Sequence, residues 1–275
     1  MRHFSQGWRA LVALCVVGTG SVVHGAEKLP FVKSGPYNAD HQTVELFAAL
    51  ENGEIDVKFI PNDSTSAQVL IENKTQQPLN VRLPAAFAGV PVLGQFQQQP
   101  GGFFNGGGQR GGGQQGGGQN QSTGGGFGNG QQNGQQNGQA NGNFFNVPAE
   151  RVGLMKVKLV CLEHGKPEPR AAIPYKLVPI AEFSDKPEVA ALCSLLGDGK
   201  VSQKSAQFAA WHLANDMSQE ELASKKIHHL DGSSERFFTA DQVRGGKLAV
   251  AEAEKMAQRA AVGTATSAVK TAAAQ

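Results

Sequence analysis

Charged and apolar residues are both scarcer in this chain than in an average globular protein. Asp, Glu, Lys and Arg make up 17% of its 275 residues and apolar residues 40%, which are below the usual averages. The deficit comes from residues 97–143, where Gly, Gln and Asn fill 39 of 47 positions. The remainder has an ordinary globular composition and a length that suits one or two domains. These values exclude a collagen, a wholly disordered chain and a membrane bundle.

Catalytic sequence signatures are also missing: the chain contains no GxSxG, no HExxH and no CxxC motif. A zinc site needs three or four ligands that converge near 2 Å, and the candidates are His164, His212, His228 and His229. The adjacent His228 and His229 point to different sides of any helix or strand, and His212 with Asp216 forms half a site at most. We therefore expect no metal and no cofactor.

The N-terminus has the pattern of a secretory signal peptide. Arg2 and Arg9 form a positive segment, Ala10–Val17 is apolar, and small residues lead to a cleavage position after Gly25. The glycines and serine at 18–21 interrupt the apolar run well before the about 20 residues that a membrane span requires. We expect a secreted or periplasmic protein, associated with the bacterial cell envelope or free outside it, without a transmembrane segment in the mature chain.

Loss of this leader leaves no charge excess. Without Arg2 and Arg9 the chain carries 23 basic and 23 acidic side chains. A protein that binds nucleic acid would show a basic excess or stripe, so nucleic acid is not an expected partner. A protein or a component of the cell envelope is the expected partner, and its identity stays open.

Alternation of apolar and polar residues predicts a β-rich first half. The pattern has a period of two, as in antiparallel strands with one buried face, and the segments are 55–59, 69–71, 79–83, 155–161 and 173–177. The polar turn at 73–78 suggests that the second and third segments form a meander. Residues 90–93 are predicted to form a short edge strand, because Pro91 cannot donate a hydrogen bond to a ladder. Short strands separated by turns indicate a small antiparallel immunoglobulin-like β-sandwich, within an α+β protein.

Helical signals fill the second half. Pro187 begins an apolar stripe that Gly197 ends, a second helix is predicted from about Ser202 to Asn215, Ser218 opens a third, and Thr239 a fourth. The predicted organisation is a signal peptide at 1–25, the β-sandwich at 26–96 and 144–181, and a disordered low-complexity insertion at 97–143. A short helical domain at 182–262 and a disordered tail at 263–275 follow. The insertion lacks periodicity and apolar mass, so we expect it to contribute nothing to the core.

Two cysteines remain after leader cleavage, Cys161 and Cys193. Cys161 alternates in phase with Met155, Val157 and Leu159, which places it towards the predicted sandwich core. Cys193 shares a helical stripe with Val189 and Leu196. In an oxidising compartment the pair either forms a disulfide or stays as two separate buried thiols.

One segment of the second predicted helix resembles a motif of bacterial surface proteins with thioester domains. In Ala206-Gln207-Phe208-Ala209-Ala210-Trp211, the Gln, Ala and Trp match a TQxAIW-like helix, and Val160-Cys161-Leu162 resembles the cysteine segment of that family. The resemblance implies an internal thioester between Cys161 and Gln207, although Ala206 and Ala210 depart from the motif and the spacing of the two residues is short. The alternative is that Cys161 is a core thiol and Gln207 a helix amide.

These observations favour an exported, non-enzymatic binding or structural protein whose ligand is unknown. Two other classes stay open. One is a covalent adhesin that uses the Cys161–Gln207 thioester, and the other is a metal-dependent hydrolase built on the histidines.

Overall fold

The computed structural model describes residues 31–32, 37–92, 120–128 and 143–272. The predicted signal peptide at 1–25 lies outside these ranges. The strands are β1 (Phe31–Val32), β2 (Gln42–Glu45), β3 (Ile55–Pro61), β4 (Ser66–Asn73), β5 (Leu79–Arg82), β6 (Phe87–Pro91), β7 (Thr123–Gly125), β8 (Phe144–Val147), β9 (Val152–Cys161), β10 (Tyr175–Pro179), β11 (Lys226–His228) and β12 (Ser234–Arg236). The helices are α1 (Leu46–Glu51), α2 (Ile180–Phe183), α3 (Pro187–Gly197), α4 (Gln203–Asn215), α5 (Gln219–Ser224) and α6 (Ala240–Ala272).

The main sheet closes on itself. Its antiparallel strands follow the order β9-β4-β3-β10-β6-β7, and β7 pairs again with β9, so that six of the described strands form a ring. The alternating residues predicted to face the core, among them Phe59, Val69 and Leu159, are at most 2% exposed. The α+β class and the antiparallel strands are confirmed. The immunoglobulin-like sandwich is not what these strands form, because a pattern of alternation specifies which face is buried but not which strands are neighbours.

A second sheet accounts for the wrong prediction of a meander. β5 pairs with β2 and β8 and not with β4. The turn after β4 leads the chain out of the barrel, and the buried side chain of Asn73 holds this turn by donating to the carbonyl oxygens of Gln77, Val147 and Pro148. Phe145 of β8 packs over Gly153 of β9, where a Cβ would meet its ring at 2.3 Å. The small sheet thus shares the core of the barrel.

The Gly-rich tract contributes a strand to the barrel. Residues Thr123–Gly125 form β7, which lies between β6 and β9 and pairs with both. Phe127 follows, is 3% exposed, and packs on Phe87 with a ring separation of 4.5 Å. The expectation that 97–143 contributes nothing to the core is therefore wrong for 120–128. The predictions for 97–119 and 129–142 fall outside the described residues.

Strand β6 also differs from its prediction. It spans Phe87–Pro91 and pairs with β10 on one side and β7 on the other, so it is not an edge strand. Pro91 is its last residue, so the position without an N–H lies at the end of the ladder. The free side that the sequence predicted for this strand is covered by β7, a strand that the alternation pattern did not reveal.

The four predicted helices begin at or next to the residues that the sequence indicated as their starts. Pro187 opens α3 and Gly197 ends it. The hydroxyls of Ser202 and Ser218 accept from backbone N–H groups at the starts of α4 and α5. Thr239 and Gln242 cap α6 reciprocally. The predicted disordered tail is wrong over 263–272, because the Ala-rich α6, whose composition favours helix, continues to Ala272.

Helices and barrel share one hydrophobic cluster. Val160, Leu162 and Val178 of the strand region contact helical residues that include Leu192 and Val250. The predicted boundary between the strand domain and the helical domain, at 181–182, falls within α2. This helix belongs to the same hydrophobic cluster. Within the described ranges, none of the helices combines the length and apolarity needed to cross a membrane.

Candidate functional site

The candidate site lies where the end of β9 meets α4. β4 pairs with β9 only as far as Lys158, so the last residues of β9 need other partners on that side. Helix α4 supplies them with side-chain amides, and its buried alanines Ala206, Ala209 and Ala210 belong to the cluster that helices and barrel share. The site is therefore built on two regular elements and not on a loop.

Gln207 is bonded in two directions to the main chain of Cys161. Its Oε1 accepts from the backbone N–H of Cys161 at 2.8 Å, and its Nε2 donates to the Cys161 carbonyl oxygen at 3.0 Å. Gln207 is 4% exposed, so these bonds satisfy an amide that would otherwise be buried without partners. The structure thus brings together the two residues of the predicted thioester pair, through the peptide group of Cys161.

Two further amides of α4 have the same role, and the sequence reading missed them. Gln203 donates from Nε2 to the carbonyl oxygen of Leu159 at 3.0 Å, and Asn215 donates from Nδ2 to that of Leu162 at 2.7 Å. Gln203, Gln207, Trp211 and Asn215 recur every four residues and so lie on one stripe of α4. That spacing is visible in the sequence, but it does not show which groups the amides meet.

Cys161 is buried, but not in the interior of the barrel. Its contacts are with Phe208, Trp211, Leu222 and Phe238, beneath the helices, so the predicted position facing the strand core is wrong. Burial raises the pKa of its thiol to about 12, with Glu168 adding to the effect and Ser64 and Lys204 opposing it. The thiol is therefore protonated at neutral pH and is a weak nucleophile.

Cys193 lies at a different place in the fold. It is completely buried among the helical residues, as its stripe predicted, and burial raises the pKa of its thiol to about 12. Both cysteines are free thiols.

A cavity of about 230 Å³ opens beside Cys161. Its wall combines the end of β9 and α4 with residues from other parts of the chain, among them Ser64, Gln121, His164, Lys225 and Phe237. The ring of His164 meets that of Trp211 edge-on at 4.6 Å. Burial, together with the nearby Lys225 ammonium, lowers the pKa of His164 against the effect of Glu221, so this ring is neutral at pH 7.

Two lysines at the cavity lie over aromatic rings. The Lys204 ammonium is 4.8 Å from the centre of the Phe237 ring, and that of Lys225 is 5.6 Å from the Trp211 ring. Both distances are within the range of cation–π attraction. The ring faces therefore hold the two positive charges in place beside the cavity.

The predicted metal candidates do not converge. The Nδ1 of His212 bonds to the carbonyl oxygen of Met217, Asp216 pairs with Lys186 at 2.7 Å, and His228 and His229 lie on or beside the exposed hairpin β11–β12. In the ranges that the structure describes, no three His, Cys, Asp or Glu side chains are placed to hold a metal ion.

Comparison of the chain with protein-family models, curated proteins and solved structures finds no match.

The pair of hydrogen bonds between the Gln207 side chain and the Cys161 main chain gives a test of this part of the site. Gln207→Met keeps the side-chain length and removes both hydrogen bonds, which leaves a buried N–H and a buried carbonyl unpaired. We expect the free energy of unfolding to fall by about 2–3 kcal/mol in urea titrations. Gln258→Met, at an exposed position of α6, is the matched control and should change it by less than about 0.5 kcal/mol. Equal stability of the two variants would contradict the assignment.

Proposed function

We propose that this chain is an exported, non-enzymatic binding protein of the bacterial cell envelope or extracellular space, which takes a small ligand into the cavity beside Cys161. The observation that carries the proposal is the way the cavity wall is held. Gln203 and Gln207, which line the cavity, are fixed by bonds to the main chain, and Lys204 and Lys225 lie over ring faces. Such a wall is largely formed before a ligand arrives, as in most small-molecule sites.

The state of Cys161 supports binding over nucleophilic catalysis. A catalytic thiol has a lowered pKa, which a positive neighbour or a helix N-terminus provides. The pKa of Cys161 is instead raised to about 12. Export is supported by the N-terminal pattern of Arg2, Arg9, the apolar segment 10–17 and the cleavage position after Gly25.

Native mass spectrometry of the protein isolated from the exported fraction tests the proposal. We expect a chain that begins at Ala26 and carries a non-covalent small molecule, which is released on denaturation. Ser64→Phe should abolish this adduct, because Ser64 lines the cavity and the ring would occupy it. Ser234→Phe, on the exposed β12, should keep it. A wild-type protein without any adduct, or an adduct that survives Ser64→Phe, would overturn the proposal.

A covalent adhesin is the second candidate, and the contact between Cys161 and Gln207 is what favours it. In that reaction the Cys161 sulfur attacks the Gln207 carboxamide carbon, the C–N bond breaks, and the nitrogen leaves as ammonia with the thiol proton. The intact mass of the same sample decides the question. We expect no loss of ammonia, because both polar atoms of the amide are bonded to the Cys161 peptide. An ammonia-loss species that methylamine opens, and that is missing in both Cys161→Ala and Gln207→Ala, would make the adhesin the better proposal.

A further inference from the structure

One member of the α4 stripe differs from the other three. Gln203, Gln207 and Asn215 each donate a hydrogen bond to a main-chain carbonyl oxygen at the end of β9 or just after it. Trp211 lies on the same stripe between Gln207 and Asn215, yet its indole Nε1 is buried and has no hydrogen-bond partner. Buried indole N–H groups normally have one. Trp211 also lines the cavity, so a ligand in that cavity can supply the acceptor.

The charges around the cavity indicate what kind of acceptor fits. Lys166, Lys204 and Lys225 lie on its wall, with Glu168 as the acidic residue of the lining. Lys166 is paired with Glu163, whereas Lys204 and Lys225 have no carboxylate within ion-pairing distance in the part of the chain that the structure describes. Two ammonium groups held over aromatic rings beside an N–H donor favour an anionic oxygen ligand.

The composition of the wall distinguishes between anionic groups. Phosphate sites in proteins commonly use bidentate arginines. The cavity lining contains no arginine, and its cationic groups are the ammonium groups of Lys166, Lys204 and Lys225. A carboxylate needs fewer donors, and one indole N–H with two flanking ammonium groups matches its two oxygens.

We propose that the cavity binds the carboxylate of a small organic acid, with Trp211 Nε1 donating to one oxygen and Lys204 and Lys225 supplying the opposite charge. The inference rests on the proposed function and names the ligand class of the same site. Nothing in it requires a covalent step, and the Cys161 thiol serves only as part of the wall.

Tryptophan fluorescence tests this directly. The chain contains two tryptophans, Trp8 and Trp211, and Trp8 belongs to the predicted signal peptide, so Trp211 alone reports in the processed protein. At constant ionic strength, sodium benzoate and sodium acetate should each produce a saturable change in emission. The neutral analogue benzamide and inorganic phosphate should bind at least about tenfold more weakly, if at all.

Variants locate the response. Lys204→Met and Lys225→Met should each raise the Kd for benzoate about tenfold, whereas Lys226→Met, an exposed neighbour outside the cavity lining, should leave it unchanged. Trp211→Phe removes the donor together with the fluorescence, so its loss of benzoate affinity is measured by calorimetry.

Each contrary outcome has a distinct meaning. Equal affinity for phosphate and benzoate would overturn the carboxylate assignment, and equal loss in Lys204→Met and Lys226→Met would overturn the location. No saturable response to either acid would overturn the inference as a whole. In that case an adduct seen by native mass spectrometry that is lost in Ser64→Phe still supports the proposed function, so the two failures are distinguishable.

Discussion

Replacing residues 120–128 with a Gly-Ser segment of equal length should remove most of the stability of the protein. The replacement deletes Phe127, which is 3% exposed, and loss of a buried Phe side chain alone costs about 3–5 kcal/mol. It also places serine side chains at positions of β7 where a Cβ has no room, such as Gly124, which lies against the sulfur of Cys193. Since small proteins have only about 5–15 kcal/mol in total, we expect a protein that is largely unfolded at 37 °C, as measured by circular dichroism and urea titration.

The same tract provides the control. Residues 129–137 consist entirely of Gly, Gln and Asn, which fill six of the nine positions at 120–128, and the sequence predicts that a Gly-Ser replacement there leaves the melting temperature unchanged. If the two replacements had the same effect, whether both neutral or both severe, the role of β7 in closing the barrel would be contradicted. An effect confined to 120–128 would confirm that this part of the tract is structural.

Gly126→Ala should destabilise the protein by about 3 kcal/mol, although it adds a single methyl group. A Cβ at this position would lie 2.3 Å from the carbonyl oxygen of Cys193 and 2.6 Å from that of Ala85. Both are backbone atoms, so α3 or the segment before β6 has to move, and such overpacking typically costs 1–3 kcal/mol or somewhat more. Chemical denaturation of the purified variant measures the loss.

Gly263→Ala is the matched substitution with the opposite expected sign. No heavy atom lies within 4 Å of a Cβ built at Gly263, and this residue is inside α6, where alanine is favoured over glycine by about 1 kcal/mol. A gain in Gly263→Ala together with a loss in Gly126→Ala would show that close packing decides the result. A Gly126→Ala protein as stable as the parent would show that α3 does not press on this part of the tract.

The strands that the sequence predicted are those with a clear period of two. β3, β4, β5, β9 and β10 carry alternating residues such as Val69 and Leu159, and the alternation is sufficient to predict them as strands. β7 could not be predicted in this way, because Thr123-Gly124-Gly125 contains no apolar side chain and its pairing is set entirely by β6 and β9. Closure of the barrel, which depends on β7, was hidden for the same reason.

The site was predicted only in part. The motif around Gln207 and Cys161 identified two residues that do meet, but the sequence implied contact of amide with thiol, whereas the amide bonds to the peptide group. Gln203 and Asn215 were missed, since a polar residue on a helix usually faces solvent. Their role follows from the early end of β4 opposite β9, which is a property of the tertiary fold.

The amide stripe of α4 also has a consequence for solubility. Where a strand extends beyond the end of its neighbour, its unpaired N–H and carbonyl groups are a template with which a strand of another chain can pair. Beyond Lys158, β9 is such a segment on the β4 side. Gln203 and Gln207 occupy its carbonyl oxygens at Leu159 and Cys161, and the backbone N–H of Leu159 donates to Thr65. A single helix thereby protects the end of this strand against edge-to-edge aggregation without adding another strand to the sheet.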